Sequence, residues 1–430
     1  MPRQWGSELM KISIFTAGSM GDIRPFIVLG KRLQQMGHQC SIMSGERNEK
    51  IVTEEGLGYD RWDLDLPEAR QVEQGLMDGD SARKAAKKMS GVVEKLMSLW
   101  VEQAVTAAKD SRLIIAANQA VPLAMSVGEK FDIPVVTTYF APLTPSSSIP
   151  PFFLKKIVRL PGFINLAVWK LLRLVMWRFV AKSFTACRAS LELPDWRWSG
   201  PWSDKSNGSR KILYAFSQHL VPRPKEWPEE TIKITGNWFG EVSSTQTVSP
   251  ELERFIAEGE SPIYVGFGSM ASSDPEGLTQ KIINVIKRSG VRAVIMSGGG
   301  AISAEMIASA RLPGVLCVDS VSHEWLFPRV KTVFHHGGGG TVAAAARAGT
   351  PQVIMPFIYD QFYWAWQLEE LGVSGGSLDI KRVGEDDIEN ALNKSFSTEV
   401  VNRAKKLWQQ VNQENGVDNT ISELQHWGFL

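Results

Sequence analysis

The chain has 430 residues, enough for two or three domains of ordinary size, and its 43% hydrophobic and 22% charged content describes a soluble globular protein with ample core. A net charge of +1 gives no strong field favouring nucleic acid as a partner. Cys40, Cys187 and Cys317 lie far apart with no C-x-x-C, which excludes a disulfide framework and suits a reducing compartment. Residues 1–10 lack the apolar core of a signal peptide, so a cytoplasmic location is expected.

Lys11 to Ala17 (KISIFTA) reads as a β-branched strand that stops at Gly18-Ser19-Met20-Gly21-Asp22-Ile23-Arg24-Pro25. Phe26, Leu29, Leu33 and Met36 then carry helical spacing up to Gly37, and Gln39 to Met43 is the next strand. This βαβ opening puts the Gly18–Arg24 loop at the carboxyl edge of a parallel sheet. On residue chemistry alone Asp22 suits an N-cap of the following helix, with Pro25 in its first turn. Asp63-Leu64-Asp65 fits a D-x-D metal pattern, but no other ligand type stands near it. Ser81 to Ala108 is helical, Leu113 to Ala116 a strand, Ala124 to Lys130 a helix and Val135 to Tyr139 a strand, so the first half alternates as a doubly wound domain.

Pro142 to Pro151 is a loop. Phe152 to Ala186 mixes Phe, Leu, Val and Trp with basic residues (Lys155, Lys156, Arg159, Lys170, Arg173 and Arg178 among them) and is too interrupted by charge to span a bilayer. Trp169, Leu172, Met176 and Phe179/Val180 recur at helical spacing, giving an apolar and a basic face. Core helices, a lid over an apolar ligand and a membrane-surface patch all fit that pattern. Asp195 to Trp202 (DWRWSGPW) reads as an exposed aromatic cluster. Ile212 to Ser217 is a strand, and the polar run from Glu241 to Pro250 marks a linker. The domains expected are 1–240, a linker at 241–258, a second domain at 259–412 and a C-terminal segment at 413–430 that returns to the first.

The second domain opens with the strand Pro262 to Phe267, ending at Gly268-Ser269-Met270. A helix to Gly290, the strands Val291 to Ser297 and Val315 to Val318, and the segment Ser320 to Leu326 follow. Lys331 to His335 is a short strand broken by His336 and four glycines; Thr341 to Ala348 is an alanine-rich helix with Gly349 and Pro351 as stops; Gln352 to Phe357 is a further strand. Both of its loops fall on one side of the sheet, so His336, the glycine turn, Asp360 and Gln361 share a crevice. Bare amides at a helix N-terminus attract an anion, glycines let a phosphate come close, and an acid beside an amide suits the hydroxyls of whatever the phosphate carries. A nucleotide sugar has that shape. Gly338, Gly340 and Ala343 also fit the G-x-G-x-x-A dinucleotide fingerprint, but that fingerprint usually opens its domain and leaves His336 unexplained. A metal at His335-His336 is disfavoured because neighbours at a strand end point apart and no HExxH spacing exists.

His336-Gly337-Gly338-Gly339-Gly340-Thr341, Arg347-Ala348-Gly349-Thr350-Pro351, Pro356-Phe357 and Asp360-Gln361, taken in order, resemble the donor-site signature of family 1 glycosyltransferases. Within that family the likeness is to sterol glucosyltransferases and to bacterial enzymes that glycosylate antibiotic aglycones. Gly18 to Pro25 matches the family's G-S-x-G-D-x-x-P loop. The resemblance implies a GT-B fold, two Rossmann-like domains facing across a cleft, with acceptor in the first and nucleotide sugar in the second. It implies Asp22 as the base, and Gly268, Ser269, His336, Gly338, Gly339, Gly340 and Thr341 at the donor phosphates. Ser320, Val321 and His323 would meet the base, Asp360 and Gln361 the sugar, and Gly18, Ser19, Trp169 and Met176 the acceptor. The co-substrate it implies is UDP-glucose, with no metal or other cofactor required and peripheral membrane contact compatible with it. Ser320 departs from the aromatic often found there, which leaves a dTDP-deoxysugar transferase, or a non-catalytic nucleotide-sugar binder, as alternatives.

Overall fold

The computed structural model describes residues 9–18, 20–64, 71, 72, 75, 82–151, 157–196, 200–202, 210–240 and 248–430. Among these, thirteen strands form two wholly parallel sheets. The first contains β1 (Lys11–Phe15), β2 (Gln39–Ser44), β3 (Gly58–Arg61), β4 (Ser111–Ala117), β5 (Val135–Tyr139), β6 (Lys211–Tyr214) and β7 (Ile232–Ile234), in the order β3-β2-β1-β4-β5-β6-β7. The second contains β8 (Ile263–Gly266), β9 (Ala293–Met296), β10 (Val315–Val318), β11 (Val333–His335), β12 (Gln352–Ile354) and β13 (Ser374–Ser377), in the order β10-β9-β8-β11-β12-β13. In each sheet the order reverses beside the first strand, between β1 and β4 and between β8 and β11. Ligands of doubly wound sheets lie at the carboxyl ends of strands where that reversal occurs. Here those ends carry Gly18, Gly268 and His336.

Parallel strands with both faces covered are apolar throughout, and β1 and β4 show it: Ile12, Ile14, Phe15 and Leu113 to Ala117 are all buried. One face of the first sheet packs under the helices Ala82–Ala108 and Gly162–Ser190. The other packs under the helix Met20–Gln35 and, unusually for chain order, the last helix, Gly416–His426. Val417, Ile421 and Leu424 of that last helix are buried against the first sheet, each worth roughly 1.5–3 kcal/mol. Arg32 to Asp418 (2.9 Å) and the Asn419 amide donating to the Thr235 carbonyl (2.9 Å) fix its register.

Two features of the first half differ from the sequence reading. The helix after β1 starts at Met20, so Asp22 lies inside its first turn and is not the N-cap. Within the tryptophan cluster Trp196 is buried, at 5% accessible, and Trp202 half-buried; Trp177 packs against Trp196, Trp202 and Phe184 at ring separations of 5.9 Å. Trp198 lies outside the described residues, as does Asp65 of the D-x-D pattern; Asp63 is taken up by Arg61 (2.6 Å) and Gln103 (2.9 Å).

Candidate functional site

The helix Gly339–Ala348 forms because six of its ten residues are alanine or valine, and it ends at Gly349 with φ +70°, a left-handed position open to glycine. Its start is the informative end. Gly338 precedes it with extended backbone and no side chain caps it, so the amides of its first turn keep their N–H groups unfilled. A macrodipole adds partial positive charge at that point. The imidazole of His336 lies over this turn with glycine on either side. A Cβ on Gly338 would sit 2.5 Å from His336 Nε2, and one on Gly268, across from β8, 2.9 Å from Cε1. Gly268 itself takes φ +59° and its carbonyl abuts Gly299. These glycines leave room for the ring and nothing more.

The two adjacent histidines separate as strand-end neighbours do. His335 points into the core, where Gly337 N–H donates to Nδ1 (3.1 Å), so the proton is on Nε2 and is donated to Gln352 Oε1 (2.9 Å). Burial drives its pKa down to about 3. His336 is also depressed, to about 4, by burial, and its Nδ1 is a buried atom without a hydrogen-bond partner among the described residues. It is therefore a neutral ring with an unmet polar atom at an uncapped helix start. No group of three His, Cys, Asp or Glu able to hold a metal is found among the described residues.

Asp360 and Gln361 follow β12. Tyr359, just before them, holds φ +54°, a left-handed position of the kind that costs about 1–3 kcal/mol and collects at functional sites. Asp360 Oδ2 accepts from Trp364 Nε1 (3.0 Å) one helical turn on. Burial, opposed by that bond and reinforced by the negative charge of Asp22, raises the Asp360 carboxyl to about 6. Asp22 thus lies within electrostatic reach of Asp360, across from it on the other sheet. The first turns of the two helices meet at the same place: the Gly21 carbonyl is 3.9 Å from where a Cβ on Gly340 would be, and the Phe140 carbonyl is 3.6 Å from that of Gly339. Asp22 also packs on Gly18, whose φ of +131° and lack of a side chain let the carboxylate lie against the backbone.

Gln361 is placed differently from its neighbour. Its Oε1 accepts from the Phe357 and Ile358 amides (2.8 and 3.1 Å), closing the loop after β12, and its Nε2 contacts Met270 Sδ (3.3 Å). It shapes the loop that carries Asp360. Ser269 and Ser320 are exposed, Thr341 is half-buried in the helix's first turn, and Val321 is half-buried. His323 stacks on Phe327 (4.3 Å, 14°) and is held neutral, at about 4, by burial with help from Arg24 and His336. Beside it, Glu324 pairs with Arg24 (3.4 Å), tying the segment after β10 to the helix after β1. Neither Trp364 nor this ion pair was read from sequence; the aspartate–tryptophan spacing of four residues at a helix start was the available signal for the first.

Among the residues expected at the acceptor, Ser19 lies outside the described residues. Trp169 is corrected: it is 0% accessible, with Nε1 donating to the Ile149 carbonyl (2.7 Å), and belongs to the core. Met176 is 45% accessible although Trp169 and Trp177, its neighbours on that side of the helix, are buried.

Known proteins resemble the chain in sequence and in fold. Residues 300–424 match the family model described as erythromycin biosynthesis protein CIII-like, C-terminal domain. Over 97% of its length the chain is 30% identical to a sterol 3-beta-glucosyltransferase of Neurospora crassa and 29% identical to one of Emericella nidulans. It spans 27% and 30% of those proteins, which are therefore much longer. The glycotransferase of kitacinnamycin superposes with a TM-score of 0.71 at 17% identity, covering 98% of this chain and 99% of the other. The calicheamicin glycosyltransferase CalG4 gives 0.66 at 14%, covering 98% of each, and VinC, solved in complex with dTDP, 0.66 at 17%, covering 97% and 99%. The fold is GT-B, and the likeness to sterol glucosyltransferases and antibiotic glycosyltransferases extends over nearly the whole chain.

Proposed function

We propose that this chain is a glycosyltransferase that moves a hexose, glucose from UDP-glucose, to a hydroxyl of an apolar acceptor such as a sterol or other lipid-like alcohol, with inversion at the anomeric carbon. One observation carries the reading: the uncapped glycine turn with its unpartnered His336 faces Asp22 and Asp360 across a cleft made by the carboxyl ends of two sheets. In this scheme the diphosphate lies at the amides of Gly339 to Thr341, with His336, Gly268 and Ser269 around it. Asp22 takes the proton of the acceptor hydroxyl as its oxygen attacks the anomeric carbon. The bond from that carbon to the phosphate oxygen breaks, and the leaving charge develops where the amides already point. One such preorganised donor is worth on the order of 3 kcal/mol. Asp360, anchored by Trp364, receives the sugar hydroxyls. Val321 and His323 border the base. No metal is required where helix dipole and amides supply the positive end.

The test is product formation from UDP-glucose and a sterol panel, read by mass spectrometry, with Asp22→Asn as control. Donor binding without product from the wild-type chain would leave only a nucleotide-sugar binder. A dTDP-sugar donor is the second reading, favoured by the exposed Ser320, which offers no ring for a uracil to stack on; a thermal-shift comparison of UDP- and dTDP-sugars separates the two.

Peripheral membrane contact fits the same reading. No helix among the described residues is long and apolar enough to cross a membrane. The outer side of the helix Gly162–Ser190 nevertheless exposes Phe163, Ile164, Leu171 and Val175, with Arg178 and Lys182 continuing the stripe. Apolar side chains beside cations suit an anionic bilayer surface. Co-sedimentation with phosphatidylserine vesicles, lost on Phe163→Ser with Leu171→Ser, is the expected result.

A further inference from the structure

The inward side of the same helix carries an arginine that the donor chemistry does not use. Arg173 lies between Trp169 and Trp177 along the helix, both fully buried, and its guanidinium rests on the ring of Trp202 at 4.7 Å. Burial pushes its pKa down to about 10, and the neighbouring Arg210 adds to the loss while Tyr139 and Tyr214 oppose it. Arg210 reaches in from the start of β6 to the Tyr139 hydroxyl (3.1 Å) and Thr137 Oγ1 (3.3 Å). Among the described residues neither guanidinium has a carboxylate partner.

Elsewhere this fold satisfies the arginines it encloses. Arg188, 1% accessible and over the Trp196 ring at 4.3 Å, makes a two-pronged bond to Glu129 (2.9 and 2.9 Å) and donates to the Pro194 carbonyl (2.6 Å). Arg223 donates to the Ile232 and Trp227 carbonyls (2.6 and 2.7 Å). Among the described residues Arg173 has only a ring face. The aromatic cluster beside it adds further donors without acceptors, because the buried Nε1 groups of Trp177 and Trp196 have no partner among the described residues. Two like charges brought together at half-buried positions, with surplus N–H groups around them, lack one thing among the described residues: a negative group.

We infer that Arg173 and Arg210, with the Tyr139 hydroxyl and the Trp202 ring, form an oxyanion site in the first domain that takes a carboxylate or phosphate group borne by an apolar molecule. Guanidinium forks match such groups, and the surrounding tryptophans suit the apolar remainder. Tyr139 ends β5, and the next residue, Phe140, is the one whose carbonyl faces Gly339, so the site adjoins the wall of the cleft. That an acceptor carrying an acid group is the natural occupant rests on the glycosyl-transfer reading; the oxyanion site does not.

The experiment therefore reads binding, not turnover. Octanoate, 1-octanol and inorganic phosphate are titrated by calorimetry into the full chain, into Arg173→Gln, Arg173→Lys and Arg210→Gln, and into Arg382→Gln as an exposed-charge control. Octanoate is expected to bind once per chain and at least tenfold more tightly than octanol. Arg173→Gln and Arg210→Gln should each lose that preference, Arg173→Lys should keep part of it, and Arg382→Gln should keep all of it. UDP binding should be the same in every variant, and the glutamine variants should melt no lower than wild type, since each removes an uncompensated charge. Competition of octanoate by millimolar phosphate would assign the site to the free ion as well; its absence would confine it to amphiphiles. Octanoate binding equal to that of octanol, or unaltered in both glutamine variants, would overturn the inference, as would a large fall in melting temperature in both.

Discussion

Replacing Asp360 by asparagine separates the demands of the cleft from those of folding. Burial first, and the charge of Asp22 after it, hold the Asp360 carboxyl at about 6 against an ordinary 3.8, in spite of the Trp364 N–H that favours its ionised form. A folded-state pKa above the unfolded one means stability that is fully present below about pH 4 and is lost as pH rises through 6. A rise from 3.8 to about 6 corresponds to ~3 kcal/mol. Asp360 is half-buried at an open cleft, and screening by water there reduces the expected figure to about 1–2 kcal/mol. Asparagine keeps the size and an oxygen for Trp364 but has no charge to desolvate. Asp360→Asn should therefore be more stable than wild type at pH 7.5, by roughly 3–6 °C in melting temperature for a domain of this size, with the difference shrinking to nothing near pH 4. In the same variant, donor binding and sugar selectivity should fall if the carboxylate holds hydroxyls. The assay is paired thermal unfolding at pH 4.0, 5.5 and 7.5. An equal offset at all three values, or a variant less stable at pH 7.5, would refute the electrostatic account of Asp360.

Other changes isolate single groups. Asp22→Asn should lower turnover roughly 10²–10⁴-fold with UDP affinity kept, as removal of a general base does, measured by initial rates beside calorimetric titration of UDP. Gly338→Ala places a methyl 2.5 Å from His336 Nε2, so the ring must leave the turn; UDP binding is expected to weaken by about tenfold or more, on the order of 1.4 kcal/mol, with little change in melting temperature. Gln352→Leu strands the His335 Nε2–H in the core and should cost about 1–3 kcal/mol in denaturant unfolding. Glu129→Gln removes the counter-charge of the enclosed Arg188 guanidinium from a partly exposed position while keeping one acceptor, and should cost about 1–3 kcal/mol, whereas Lys130→Gln next to it, at the surface, should cost little.

How much of this was legible in the sequence follows from which signals are local. An apolar run cut by glycines marked β11 and the turn after it, because strand ends and backbone freedom are written in neighbouring residues. The helix start was read two residues late, at Thr341, since glycine is a poor helix former; glycine at 339 lets this helical turn lie close to Trp364, whose Nε1 would be 3.3 Å from a Cβ there. β13, with the sequence Ser-Gly-Gly-Ser, gave no apolar pattern at all. Its glycines serve close packing, as the Ala391 carbonyl lies 2.0 Å from where a Cβ on Gly375 would be. Trp169 looked available for a ligand because helical spacing reports which residues share a face, and Trp196 looked exposed because it stands in a loop; neither pattern reports what covers the side chain. The covering groups, Ile149 for one and Trp177 for the other, come from distant segments. The same limit hid Arg173, whose lack of a partner is a fact about three separate elements.

The cleft joins two chemical tasks through one device. The helices Met20–Gln35 and Gly339–Ala348 point their N-termini at each other, with Gly21 meeting Gly340, so two partial positive charges converge from opposite sheets. The histidines nearby add none, since His323 and His336 are held neutral by burial. Negative groups are what such a place accepts, and it already contains two, Asp22 and Asp360, the charge of the first disfavouring that of the second. On the proposed reading, a diphosphate at one helix end and a sugar ring between the carboxylates would relieve both imbalances at once: the anion would fill the uncapped turn, and polar hydroxyls would separate the like charges. The Arg24–Glu324 pair spans the same gap beside them, so the approach of the two domains and the order of charges within the cleft are set together. The raised pKa of Asp360 is the cost of that arrangement, and the stability of Asp360→Asn measures it directly.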